Sequence, residues 1–259
     1  MKIGRESVPK SAICTSTADT ITVRGKDLCT DLIGHTSFTD YFYLLLTGKT
    51  PSATARTVLD ATLVSIAEHG FVPSVQASRM TYAAAPDALQ GAVAAGILGC
   101  GPVILGASQN AGDLFHGIAK QVDEGQALDS VVRETVSRMR AQKQPIPGYG
   151  HPLHKERDPR VDALFKVARD SGADLRYIAI AEAIEAAIPD IVGKTLKLNV
   201  SAAIPAVLLG AEFPVTALRG IPILARTASL IAHLNEEATQ PAGFALSYHA
   251  SQAVEYTGE

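Results

Sequence analysis

The sequence predicts a mainly helical protein that begins with a short β-hairpin. Three observations lead there. Apolar residues recur at helical spacing over most of the 259 residues. Aromatics make up only 5 % and Trp is absent, so the core must be built from Ala, Leu, Ile and Val, which suits closely packed helices. Strand-type composition is confined to residues 12–24, where Thr and β-branched residues surround a turn-like Ala18-Asp19. With 47 % hydrophobic and 19 % charged residues, the chain can bury a sizeable core, as one large domain or two smaller ones.

The elements follow in order. Phe38, Tyr41, Phe42, Leu45 and Leu46 lie at helical spacing; Ser37 can cap that helix and Gly48 stops it. Pro51 begins the next segment, and residues 53–68 place Val58, Leu59, Leu63, Ile66 and Ala67 on one face. The nearly all-apolar run 91–107 is shorter than the ~20 residues a membrane span needs and is broken by Pro102 and glycines. It reads as a buried helix, 88–99, followed by a loop, with Gly91 and Gly96 letting a neighbouring backbone approach. Helical spacing resumes over 127–141. A loop with three prolines before Asp158 spans 143–160, and helices are expected at 161–171, 174–188 (ending at Pro189), 201–210 and 221–238.

The net charge of −3 gives no global signal for nucleic acid or membrane. Residues 138–169, however, carry eight Lys/Arg against three acids, a balance that suits a small anionic ligand. Three cysteines in no metal-type spacing read as structural thiols of a reducing cytoplasm. The N-terminus M-K-I-G-R-E-S has no apolar signal core. The expected location is therefore cytoplasmic, with no metal, nucleic-acid or membrane partner.

The chemistry concentrates in P-I-P-G-Y-G-H, residues 145–151. Gly148 and Gly150 around Tyr149 let backbone groups approach a ligand closely. His151, displayed at the loop's end, can donate to a carbonyl or exchange a proton. Lys155 can act as a point charge on phosphate, and Arg160 can grip a carboxylate with two parallel bonds. Arg226 lies on an apolar helix and needs a partner, either an internal acid or a ligand carboxylate. His233, on the same helix, reads as a packed, hydrogen-bonded histidine.

The loop followed by D-P-R at 158–160 resembles the signature of the citrate synthase superfamily. Three further stretches are similar to that family in the same order: T-V-R-G-K-D-L (22–28) with S-F-T-D-Y-F-Y-L-L-L-T-G-K-T-P-S (37–52); A-E-H-G-F-V-P-S (67–74), similar to the D-H-G segment of the lyase branch; and L-A-R-T-A-S-L-I-A-H-L-N-E-E (224–237). The short length points to the stand-alone citryl-CoA lyase-like members. The resemblance implies a citrate synthase-like fold with a large helical domain (1–114 and 201–259) and a small one (115–200) carrying the CoA loop. It implies coenzyme A, as a thioester substrate, held by Pro145, Ile146, Gly148, Tyr149, Gly150 and Lys155. It puts catalytic roles on His151 and His69, and a substrate carboxylate on each of Arg160 and Arg226. It also implies a homodimer with shared active sites.

Three positions depart from the family. Ile104 stands where the synthases have the histidine that stabilises the enol; the lyase branch lacks that histidine too. Ser201, in L-N-V-S-A, occupies the place of the catalytic aspartate. A hydroxyl cannot remove a thioester α-proton unaided, and loss of a general base costs on the order of 10²–10⁴ in rate. Gln240-Pro241 stands where the family supplies an arginine across the dimer, so the substrate is expected to carry fewer carboxylates than citrate. The expected function is retro-aldol cleavage of a hydroxyacyl-CoA to an acyl-CoA and an oxo-acid, with Ser201 acting through water. The alternatives are a CoA-thioester hydrolase in the same fold and a non-catalytic acyl-CoA-binding protein.

Overall fold

A computed structural model describes residues 9–101, 105–150 and 157–258. The N-terminal hairpin forms as expected: β1 (Cys14–Ser16) pairs antiparallel with β2 (Ile21–Val23), Cys14 opposite Val23. The Thr17 hydroxyl closes the turn by accepting from the Asp19 and Thr20 amides. The sequence pattern missed a third strand, β3 (Lys26–Asp27), joined to β2 through Arg24-Gly25. Both turn residues have positive φ, 48° and 79°, as a two-residue hairpin turn of the twisted kind requires. Such a turn is hard to see because Arg rather than Asn or Gly takes the first position. Arg24 is also bound elsewhere: its Nε donates to the Leu45 carbonyl at 3.0 Å, so the sheet caps the last turn of the first helix.

That helix, α1 (Phe38–Thr47), begins at Ser37, whose hydroxyl accepts from the Asp40 amide, and stops at Gly48 with φ 74°. α2 (Ala53–Ala67) is capped in the same way by Ser52. α3 (Pro73–Ala84), α4 (Leu89–Leu98), α5 (Ala107–Asp123) and α6 (Leu128–Ala141) follow. Beyond the loop come α7 (Pro159–Asp170), α8 (Arg176–Val192), α9 (Val200–Gly210), α10 (Gly220–Glu237) and α11 (Gly243–Gln252).

Two expectations need correction. α4 is not a buried helix: Ala92 and Gly96 are buried, but Leu98 is 81 % exposed. Apolar content without amphipathic periodicity does not say which face is covered. Gly96 does allow a close approach, since a Cβ there would lie 2.6 Å from Leu230 and 2.9 Å from the Ser74 carbonyl; Gly91 has only ordinary contact. Pro189 does not end α8, which continues to Gly193 in the left-handed conformation. In the final turn, proline removes only one hydrogen bond, and Ala187 and Ile188 remain buried.

α9 is the centre. Every one of its residues except Ser201 is buried, and α2, α5, α7 and α8 pack around it. A helix that is apolar all round can only be stable in such a place. α3, α4, α10 and α11 pack together alongside. The run Val215–Glu237 is long and apolar enough to cross a membrane by length and composition, yet α10 carries buried Arg226, Ser229 and Glu237.

The α3–α10–α11 junction is held by Arg79, which is 1 % exposed. Its Nε donates to Glu237 at 2.5 Å, Nη1 to Glu236 at 2.6 Å and Nη2 to the Gln240 carbonyl at 2.9 Å. Glu237 in turn accepts from the Ala242 and Gly243 amides at the head of α11. Burial pushes the Glu237 carboxyl up, but the Gly243 amide, Arg79 and the Ala242 amide outweigh it and hold it below its usual value. Removing the Glu237 charge leaves buried Arg79 with the half-exposed Glu236 as its one acid, at a cost of about 3 kcal/mol, the lower end for breaking a buried pair. Glu237→Gln should therefore lower Tm by roughly 6 °C or more in a chain of this size, read by a thermal melt near neutral pH.

Candidate active site

The glycine-rich loop is stitched to the extended run that leads into α9. The Gly150 amide donates to the Lys197 carbonyl at 2.7 Å, the Asn199 amide to the Gly148 carbonyl at 2.9 Å, and Asn199 Nδ2 to the Gly150 carbonyl at 2.6 Å. Tyr149 and Leu198 form an antiparallel bridge. Gly148 and Gly150 have φ of 88° and 83°. Gly148 is required twice over, because a Cβ there would lie 2.4 Å from Ala202 Cβ. The Tyr149 ring points into the core, where its hydroxyl donates to the Ala181 carbonyl at 2.8 Å and burial pushes its pKa well up. Of Tyr149, then, the backbone rather than the phenol is available to a ligand. Pro145 and Pro147 line a groove of about 310 Å³ with Asn110, Asp113, Leu114 and Met139.

Two carboxylates fasten this seam from below. Asp158 caps α7, with Pro159 at the first helical position, and is 1 % exposed. It accepts from the Arg160 amide and Nε at 3.0 Å, from Arg160 Nη2 at 2.8 Å and from the Val200 amide at 3.3 Å. Glu185 accepts from the Leu198 amide at 2.7 Å on one oxygen and from Arg157 at 3.3 Å on the other. Arg160, expected as a substrate clamp, thus spends two of its nitrogens on Asp158; Nη1 has no protein partner among the described residues. Sequence reading took Arg160 from D-P-R and overlooked Asp158, although Asp before Pro is a helix-start signal.

Ser201 sits in the first turn of α9, behind the cap Asn199, whose side chain accepts from the Ser201 amide at 2.9 Å. It is the residue through which α9 reaches the surface. His151, Lys155 and Ile104 lie outside the described residues.

The second cluster is on α10. Arg226 is 5 % exposed, and its Nε and Nη1 have no hydrogen-bond partner among the described residues. Among the described residues no acid pairs with it. One turn on, Ser229 and then His233 reach Glu68 at the end of α2; His233 Nε2 is 3.0 Å from Glu68 Oε2. His233 is therefore the hydrogen-bonded histidine expected. Glu68 Oε1 accepts from the His69 amide at 2.8 Å, which fastens the His69 turn to the Arg226 helix. Glu68 was not anticipated: an acid at a helix end gives no sequence signal of such a role. Among the described residues no group of His, Cys, Asp or Glu could hold a metal ion.

The architecture defines the class as a citrate synthase-like fold, mainly helical with a small N-terminal sheet. Residues 34–243 match the family described as citrate synthase, C-terminal domain, and the chain belongs to that family. The chain is similar over nearly the full length of both proteins (98 % and 96 %) to the solved citryl-CoA lyase of Hydrogenobacter thermophilus, with 32 % identity and a TM-score of 0.84. An ATP citrate lyase from Methanothrix soehngenii, solved with citrate and coenzyme A, shares the fold at TM-score 0.80 and 22 % identity over 99 % of this chain and 43 % of that one. The citrate synthase of a Synechocystis strain is 29 % identical over 202 residues, 76 % of this chain. The chain spans about half the length of that curated relative, 48 %. The homologues are enzymes of the citrate synthase superfamily, and these relationships support a CoA-related activity of that superfamily.

Asp158 gives the seam a pH dependence. Burial pushes its carboxyl up, but the hydrogen bonds and charge of Arg160 outweigh that and hold it below the usual 3.8. A carboxyl depressed by folding contributes stability that is complete above its unfolded value and is lost as pH falls through the folded one. The Tm of the parent should therefore fall below about pH 4. Asp158→Asn should be less stable at neutral pH and show a shallower acid limb, measured by melts from pH 6 down to 3.

Proposed function

We propose that the chain is an acyl-CoA carbon–carbon lyase of citryl-CoA lyase type. The observation that carries this reading is Arg226. An unpaired guanidinium in a protein interior costs several kcal/mol, and it is tolerated where a ligand carboxylate completes it. In the proposed site, Arg226 and the remaining nitrogen of Arg160 hold the carboxylate end of a hydroxyacyl-CoA. Pro145 to Gly150 hold the CoA portion, with the groove at Pro145 and Pro147 beside them and Lys155 on its phosphates. The small domain, 115–200, closes on the larger one and excludes water. The protein acts as a homodimer.

His151 takes the proton of the substrate hydroxyl. As the C–O bond becomes a carbonyl, the C–C bond to the thioester α-carbon breaks, and its electron pair passes into the thioester enolate. The enolate takes a proton from water held at Ser201, and the proton taken up by His151 neutralises the hydroxide left behind, so that an acyl-CoA, an oxo-acid and the starting water remain. His69 orients the oxo-acid end. Positioning and fixed charge supply the catalysis, since no carboxylate stands at 201. A second reading has one observation behind it: Ser201 is the one residue of α9 that is not fully buried, and thioester hydrolysis needs no α-proton transfer.

Citryl-CoA and shorter hydroxyacyl-CoAs separate these readings. Release of oxo-acid with acyl-CoA supports the lyase; free CoA with the intact hydroxy-acid supports the hydrolase; tight CoA binding with no turnover supports a binding protein. Arg226→Met should abolish oxo-acid binding by calorimetry while raising Tm, because it removes a buried charge. A drop in Tm with binding retained would mean that Arg226 is structural. Ser201→Asp should speed cleavage by on the order of 10² or more, in a coupled assay of oxo-acid release.

A further inference from the structure

The stretch Glu68–Phe71 is fixed to α10 at both ends, and the fixing residues share a face with Arg226. Arg226, Ser229, His233 and Glu237 recur at helical spacing and form one stripe of α10. The Glu68 carboxylate takes part in four hydrogen bonds, two from its own turn and two from that stripe. Oε1 accepts from the His69 amide at 2.8 Å and the Gly70 amide at 2.5 Å; Oε2 accepts from the Ser229 hydroxyl and is 3.0 Å from His233 Nε2. His233 Nδ1 lies 3.4 Å from Arg79 Nη1. A guanidinium only donates, so Nδ1 accepts and the ring proton sits on Nε2, directed at Glu68. At the other end, the Phe71 ring stands edge-on to His233, centroids 5.7 Å apart, with the Arg79 guanidinium 5.0 Å from the Phe71 centroid.

We propose that Glu68 is a positioning residue, which fixes the turn carrying His69 one helical turn from Arg226 and is itself aimed by the Arg79–His233 pair. The inference rests on the reading of His69 and Arg226 as the oxo-acid end of the site. Its physical basis is that two groups on different helices cooperate on one ligand only if their spacing is held. A misplacement of about 1 Å can cost ~10²-fold. The turn 68–70 has no regular secondary structure to hold it. The carboxylate supplies that restraint, with its four acceptor positions spread over two backbone amides and two α10 side chains. Half of the Glu68 side chain is exposed, 52 %, so the bonds serve geometry more than net stability.

The test compares the full chain with Glu68→Gln, and with Ser229→Ala in case the first variant does not fold. Binding of oxaloacetate and of CoA is measured separately by calorimetry, with amide hydrogen exchange at His69 and Gly70. The expected result is a loss of about tenfold or more in oxaloacetate affinity with CoA affinity unchanged, together with faster exchange at both amides. Glu68→Asp should recover less than the parent, because the shorter arm cannot span turn and helix. Equal losses for oxaloacetate and CoA, or unchanged oxaloacetate binding, would overturn the proposal. If the parent itself neither binds oxaloacetate nor cleaves citryl-CoA or any shorter hydroxyacyl-CoA, the lyase reading falls, and the amide exchange alone decides whether Glu68 holds the turn.

Discussion

Gly148 lies against Ala202 with no room for a side chain between them, and this contact sets the depth at which the loop rests on α9. α9 is buried along its whole length apart from Ser201, so its first turn is where the helix can meet a ligand. The loop reaches that turn only because two glycines turn the backbone into the left-handed region on either side of Tyr149, whose ring is anchored in the core. Pairing with residues 197–199 then takes up the Gly150 amide and the Gly148 and Gly150 carbonyls. Asp158 and Glu185 extend the fastening to α7 and α8. Four elements therefore share one seam, and a displacement of any one would move the loop.

The treatment of charge separates structural from functional groups. Arg79 is almost fully buried and all three of its nitrogens are bonded. Asp158 is equally buried and is matched by Arg160 and the Val200 amide. Arg226 is buried too, yet two of its nitrogens have no partner among the described residues. That contrast is what the proposed carboxylate-binding role of Arg226 rests on.

Helix starts and stops were legible because they depend on local chemistry: Ser37 and Gly48 act where their residue types say. The buried neighbour of Gly96 was legible for the same reason. Features that depend on distant chain were not. The exposed face of α4 depends on what packs against it, and the third strand depends on an Arg24 that also caps α1. At the site, Arg226 could be recognised as a buried charge from its apolar helix, but only the structure shows that no acid among the described residues pairs with it. Asp158 and Glu68 went unread because each acts through a partner far along the chain, Val200 or Ser229.

Ser201 shows most sharply what this site can do. A helix N-terminus ordinarily offers unpaired amides to an anion. Here they are already used: the Val200 amide donates to Asp158, the Ser201 amide to the Asn199 side chain, and the Ala202 and Ala203 amides to the Asn199 carbonyl. α9 therefore provides no backbone cradle for the charge of an enolate. The Ser201 hydroxyl is what its first turn presents, and a hydroxyl can donate one hydrogen bond or hold one water but cannot serve as an acid at neutral pH. Any charge that develops on a thioester in this site must then be met by groups outside α9. In the proposed lyase reading that demand falls on the loop, since Arg226 is taken up by the oxo-acid carboxylate.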